Sequence, residues 1–154
     1  MPQTRVLGID FGTRRVGAAI SDPRRKISSP LEVYERRDPA QDARHYRSLV
    51  EDHEVDLIVV GLPLHSGGAE SESSRKARAW GAWLAEATGV SLTFFDERNT
   101  SIYADEILID VGFKYRQRKG KRDMLAATIL LQNFLDAGCP MVTARGEALD
   151  EPAS

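Results

Sequence analysis

Gly8-Ile9-Asp10-Phe11-Gly12-Thr13-Arg14-Arg15-Val16-Gly17-Ala18-Ala19-Ile20-Ser21-Asp22 is the stretch whose reading decides the fold of this chain. An apolar run from Val6 to Ile9 ends in a carboxylate, a glycine-and-threonine turn follows, and a second apolar run spans Val16 to Ile20. The pattern is a β-hairpin with Asp10 fixed at the end of a buried strand. Desolvating a charge against a core costs several kcal/mol or more, so the position requires a partner. A metal ion or a metal-bound phosphate is one such partner. The plain alternative is an Asp that caps its own turn through the backbone. The hairpin alone leaves both open.

Composition bounds the rest. At 154 residues the chain suits one well-packed domain and is short for two. Hydrophobic residues make up 42% and charged residues 29%, as in soluble globular proteins. No apolar run approaches the ~20 residues of a membrane span. Met1-Pro2-Gln3-Thr4 runs at once into the strand pattern, so no signal peptide is expected. The one cysteine, Cys139, cannot form an internal disulfide, which favours a reducing, cytoplasmic setting. A net charge of −2 hides strong local imbalance. Six basic and no acidic residues lie between Lys114 and Arg122, and Arg14, Arg15, Arg24, Arg25 and Lys26 cluster near the hairpin. Glu147, Asp150 and Glu151 fall in the C-terminal segment, so a polyanion partner is permitted despite the total.

The chain outward from the hairpin reads as follows. Ile27 to Tyr34 is a third strand, with Pro30 marking an edge or irregular position. Asp38-Pro39-Ala40-Gln41 opens a helix: Asp as N-cap, Pro at the first helical position, Gln three after the cap. That helix is expected to run to about His53, with His45 and His53 on a solvated face. Asp56 to Leu62 holds the continuous apolar run Leu57-Ile58-Val59-Val60, which suits a parallel strand buried on both faces. Pro63 to Gly68 is a loop carrying His65, a residue able to position phosphate or simply to fill the loop.

A helix follows from about Glu70 to Ala87, with Gly89 at its left-handed end and with Trp80 and Trp83 read as core or flanking contacts in preference to a nucleic-acid or partner surface. Its opening serines, Ser71, Ser73 and Ser74, read as caps or as phosphate ligands. Ser91 to Phe95 is the fifth strand and also ends in acid, Asp96-Glu97. Thr100 or Ser101 caps a helix to about Val111, Gly112 to Arg118 is a basic loop, and the last helix opens near Gly120 or Arg122 and stops at Gly138. This order describes an α/β fold, a five-stranded mixed sheet with helices on both faces. One domain is expected over residues 1–138, with a flexible acidic tail at 139–154.

In such sheets ligands bind beyond the carboxyl ends of the strands. Asp10 and Glu97 emerge there, and Asp123 is expected in the first turn of the last helix, where the helix dipole alone would favour an acid. Three converging carboxylates repel unless a divalent cation joins them, and hard oxygen ligands select Mg²⁺ or Mn²⁺. One or two such ions suit phosphodiester hydrolysis. Lys119, Lys121 and Arg122 would then supply positive charge to the scissile phosphate. Thr13, Thr100 and Ser101 offer hydroxyls to its neighbours.

Four phrases occur in order: Gly8-Ile9-Asp10-Phe11-Gly12-Thr13, Val60-Gly61-Leu62-Pro63-Leu64, Asp96-Glu97-Arg98-Asn99-Thr100-Ser101, and Lys119-Gly120-Lys121-Arg122-Asp123-Met124-Leu125-Ala126-Ala127. Over residues 5 to 137 the chain resembles the YqgF/RuvX family of Holliday-junction-resolvase-like proteins. The resemblance implies a ribonuclease H-like fold and a metal-dependent nuclease. It puts the catalytic and metal-binding acids on Asp10, Glu97 and Asp123. The candidate phosphate contacts are Thr13, Arg98, Thr100, Ser101, Lys119 and Lys121. The implied function is 5′-end maturation of small-subunit ribosomal RNA among ribosome assembly intermediates, with branched DNA as the other substrate. Asn99 stands where the family more often has Leu. Arg122-Asp123-Met124 replaces Val-Asp-Ala, and Arg122 is positioned to pair with Asp123.

Two other classes share some of these features. An actin-like ATPase also opens with Asp-x-Gly-Thr between strands, but it needs a duplicated domain, and no second such hairpin exists here. A binding module with the fold but little chemistry would bind RNA without regard to metal.

Overall fold

The computed structural model describes residues 4–63, 71–96 and 115–141. Among these, five strands form one sheet: β1 (Arg5–Asp10), β2 (Arg15–Ser21), β3 (Ser28–Glu35), β4 (Val55–Leu62) and β5 (Ser91–Asp96). Three described helices accompany it: α1 (Pro39–Asp52), α2 (Glu72–Thr88) and α3 (Tyr115–Asp136). The sheet order is β3-β2-β1-β4-β5, with β2 antiparallel to both neighbours and β1, β4 and β5 mutually parallel. The predicted mixed sheet is therefore present. Among the described residues no helix is long and apolar enough to cross a membrane.

Strand alternation sorts the core into two layers. Leu7 and Ile9 of β1, Val16 and Ala18 of β2, and Ile58, Val60 and Leu62 of β4 pack with Tyr46, Leu49 and Val50 of α1 and Ala77, Trp80 and Leu84 of α2. Val6, Ala19, Leu57 and Val59 face the other way, onto Ala127, Leu131, Phe134 and Leu135 of α3, with Cys139 and Met141 packed at its margin. On the α3 face, Gly8 of β1 and Gly17 and Ala19 of β2 are small, and this sets how close the helix lies. A Cβ on Gly8 would stand 2.7 Å from Leu131 Cβ, and one on Gly17 would stand 2.1 Å from the carbonyl oxygen of Asp123. Helix and sheet thus meet backbone to backbone.

Local signals held at most boundaries. Asp38 caps α1 by accepting from the Gln41 amide, with Pro39 at the first helical position. Ser71 and Ser74 form a reciprocal capping box on α2, and Ser71 also donates to the Pro63 carbonyl. Both hydroxyls are thus engaged in capping. At Gly89 (φ 72°) α2 ends in the left-handed conformation. Past α3, the Cys139 amide donates to the Phe134 carbonyl and that of Gly138 to Leu135, closing the helix over a left-handed Gly138. Pro30 lies in an edge strand, beside the register shift between Ala18 and Ala19.

Two expectations are corrected. The last helix begins at Tyr115, not near Gly120 or Arg122, so residues 115–118 are helical instead of loop. Asp123 consequently lies in the helix interior, beyond the first turn where the dipole acts. His45 is not on a solvated face. Half-buried, it lies 2.6 Å from Glu32 of β3 and stacks on Tyr34 with ring centroids 3.8 Å apart. The proposed Thr100-capped helix, His65 and most of the Pro63–Gly68 loop lie outside the described residues.

Candidate active site

Asp10 ends β1 at the carboxyl edge of the parallel strands, half-buried, on the same side of the strand as Val6 and Gly8 and hence toward α3. Its cross-strand partner is Gly17. The Asp123 carbonyl sits over that same glycine. With paired strands about 5 Å apart, Asp10 and Asp123 flank one residue without a side chain. A larger residue at 17 would wedge them apart. Asp10 and Asp123 are the two predicted acids that the described structure brings together. Glu97 lies outside the described residues, as do Arg98, Thr100 and Ser101.

Arg15 reaches Asp123 with Nε 3.6 Å from Oδ2, both side chains partly exposed. The hairpin thus contributes a cation beside Asp123 that sequence adjacency, which points to Arg122, does not suggest. Lys119 and Lys121 lie on α3 four and two residues before Asp123, within about one turn, so their positions run along the helix toward the site. Thr13 is exposed in the β1–β2 turn, and its carbonyl accepts from Arg36 at 3.0 Å. A Cβ on Gly12 would lie 2.3 Å from the Arg15 carbonyl, so the turn closes tightly beneath Thr13. Asp96 shares the alternation of Leu92 and Phe94, which face the α1/α2 layer, so its parity is opposite to that of Asp10.

Arg15 and Arg36 are contributions that motif reading left unassigned. Arg36-Arg37, directly before the Asp38-Pro39 cap at the end of a strand, was the available signal for the second. Among the described residues no group of three or more His, Cys, Asp or Glu side chains is gathered to hold a metal. The described acids, Asp10 and Asp123, are hard oxygen donors from two separate elements, a donor chemistry that fits Mg²⁺ or Mn²⁺.

The profile of the family described as RuvX, Holliday junction resolvase, matches residues 4–137. The chain belongs to this family. It is 36% identical over 150 residues to a protein of Rhodopirellula baltica named "Putative pre-16S rRNA nuclease", covering 97% of this chain and 87% of that one. A protein of the same name from Koribacter versatilis is 38% identical over 150 residues, with coverages of 97% and 94%. Among solved structures, Thermus thermophilus RuvC in complex with a Holliday junction substrate aligns with a TM-score of 0.53 at 15% identity, over 95% of this chain and 99% of that one. The fowlpox virus resolvase complex with Holliday junction DNA aligns at 0.54 and 10% identity, over 87% and 98%. At these identities the likeness shows the ribonuclease H-like fold of this RuvX-family member and nothing finer.

Proposed function

We propose that this protein is a divalent-metal-dependent nuclease that hydrolyses phosphodiester bonds of structured RNA, maturing the 5′ end of the small-subunit rRNA precursor in the cytoplasm. The observation that carries the reading is the approach of Asp123 to Gly17, the strand partner of Asp10, at the carboxyl edge of the sheet. The shared name of the relatives favours rRNA over branched DNA as substrate.

Asp10, Glu97 and Asp123 would hold one or two Mg²⁺ or Mn²⁺ ions. The chemistry such ions supply when bound is activation of water and neutralisation of phosphate charge. The chain's own residues bind and orient the strand. Thr13, Thr100 and Ser101 donate hydroxyl hydrogen bonds to phosphate oxygens, and Arg98, Lys119 and Lys121 offset their charge. Arg15 holds Asp123 toward the β1–β2 turn and limits carboxylate repulsion. The reaction belongs to a single domain over residues 1–138, with 139–154 an acidic extension whose first residues pack back on α3.

The test is cleavage of a precursor rRNA fragment and of a four-way DNA junction, each with Mg²⁺, by the wild-type protein and by Asp10→Asn, Glu97→Gln and Asp123→Asn. RNA cleavage that falls about a hundredfold or more in each variant is expected. Equal activity in wild-type and Asp10→Asn would remove the metal-acid mechanism. Cleavage of the junction but not of the RNA would replace the substrate.

A further inference from the structure

A pocket of ≈ 260 Å³ opens on the α1/α2 side of the sheet, lined by Arg36, Arg37, Pro39, Asp42, Trp80 and Trp83. It lies at the same sheet edge as Asp10. Both β1 and β3 run antiparallel to β2, and the pairings Asp10–Gly17 and Glu35–Arg15 bring their carboxyl ends to one side. The turn after Asp10 touches the pocket wall directly. Phe11 packs on Trp80 with ring centroids 5.0 Å apart, and the Arg36 guanidinium stands 5.1 Å from the Phe11 ring centre.

Its lining narrows the occupant. Trp80 is buried and fixed between Phe11, Tyr46 and Trp83, while Trp83 is half-exposed. Indole and pyrrolidine surfaces favour a flat, apolar group. Two arginines favour an anion beside it, because the carboxylate that lines the pocket is already engaged: Asp42 is buried and its Oδ1 accepts from the Tyr34 hydroxyl and the Arg37 amide. Arg36 donates through Nη1 to the Thr13 carbonyl, but its buried Nε has no acceptor among the described residues. A planar, hydrogen-bonding ring joined to a phosphate meets all three demands. An acidic peptide would meet the charge and the hydrogen bond but supplies no flat ring for the indole and pyrrolidine surfaces.

We propose that this pocket holds an unpaired nucleotide of the substrate strand, its base against Trp83 and Pro39 and its phosphate on Arg37. The proposal rests on the nuclease reading for the identity of the strand. The two faces of the β1–β2 turn then divide the work, the acids on the α3 side and the base grip on the α1/α2 side.

The test is a titration in EDTA of a short oligoadenylate RNA carrying 2-aminopurine, reading 2-aminopurine and tryptophan fluorescence, with free AMP in a parallel arm. The wild-type protein is expected to quench both probes with the oligonucleotide. Trp83→Leu should bind it about tenfold more weakly, as loss of one stacking partner requires, and Arg37→Ala should bind severalfold more weakly with a shallower salt dependence. Arg37 is exposed, so its variant reports even if Trp83→Leu is unstable. Unchanged affinity and quenching in Arg37→Ala would overturn the proposal. Equal affinity for AMP and the oligonucleotide would overturn the strand assignment in favour of a free nucleotide. Binding is read without metal or turnover, so failure of the nuclease reading, seen as no RNA cleavage by the wild-type protein with Mg²⁺, is distinguishable from failure of the pocket.

Discussion

Substituting Gly17 by Ala tests the claim that backbone contact sets the geometry of the acids. The added Cβ would stand 2.1 Å from the Asp123 carbonyl oxygen, 2.4 Å from its carbon and 2.9 Å from the Met124 nitrogen. Contacts under 3.0 Å are essentially never seen for Cβ atoms, so the closest of these must open by at least 0.9 Å. All three obstructing atoms are main chain, so no rotamer change relieves them. Strand β2 or helix α3 has to move. Overpacking of this kind costs about 3 kcal/mol, at the upper end of the usual range, and should lower Tm by about 6–12 °C in a chain of this size. A shift near 1 Å between reacting groups costs about a hundredfold in rate. Gly81→Ala is the control. Its Cβ would meet Phe94 ring atoms at 2.7 Å and 2.9 Å on the opposite layer, so it too should lose stability, but with precursor-RNA cleavage preserved. Tm by calorimetry and single-turnover cleavage with Mg²⁺ read both effects. Wild-type Tm and cleavage in Gly17→Ala would refute the reasoning, as would equal loss of cleavage in Gly81→Ala.

Three further outcomes follow from the described contacts. Arg15→Ala removes a partly exposed pair and should cost under about 1 kcal/mol, while the gain in Tm on adding Mg²⁺ grows because Asp123 no longer has that cation; an unchanged Mg²⁺ increment would show that Arg15 does not compete for the carboxylate. Ser71→Ala dismantles the α2 cap and should lose about 1 kcal/mol with RNA affinity intact; a matching fall in RNA affinity would restore the phosphate-ligand reading of the serine. Burial and the Asp42 carboxylate push the Tyr34 hydroxyl up to about 12. In the unfolded chain a tyrosine titrates near about 10. The folded state therefore binds the proton more tightly, and this contribution is fully present below about pH 10 and lost as pH rises toward 12. A Tm-versus-pH series should accordingly fall less steeply above pH 10 in Tyr34→Phe than in wild type, and identical alkaline limbs would exclude the contribution.

Features written in local chemistry were legible in the sequence, and those made by distant partners were not. Asp38-Pro39-x-Gln41 announced α1, Gly89 ended α2, and Leu57 to Val60 marked a central strand, because caps, turns and buried strands are encoded within a few residues. The start of α3 was misread because Gly120 looks like a breaker. A helical Gly is only about 1 kcal/mol less favourable than Ala, and the Arg, Lys and Gln residues around it are good helix formers. His45 looked solvated because its partners, Glu32 and Tyr34, lie on a strand that the helical wheel cannot include. At the site, Asp10 was legible as a charge ending an apolar run. The Arg15–Asp123 pair was not, since it exists only because Gly17 lets α3 down onto the sheet.

The edge strand β3 has a consequence for solubility. Its exposed Ser29, Pro30 and Glu35 lie along a ladder whose register shifts opposite Ala18 and Ala19, and Pro30 has no amide hydrogen to offer a neighbouring strand. Gln132 of α3 further ties down the approach to this strand, donating to the Lys26 carbonyl and accepting from the Ser28 amide. A second sheet seeking to continue the ladder there would meet an interrupted row of donors and a carboxylate. That edge is built to stay a margin, which lets the chain be concentrated without zipping to its own copies.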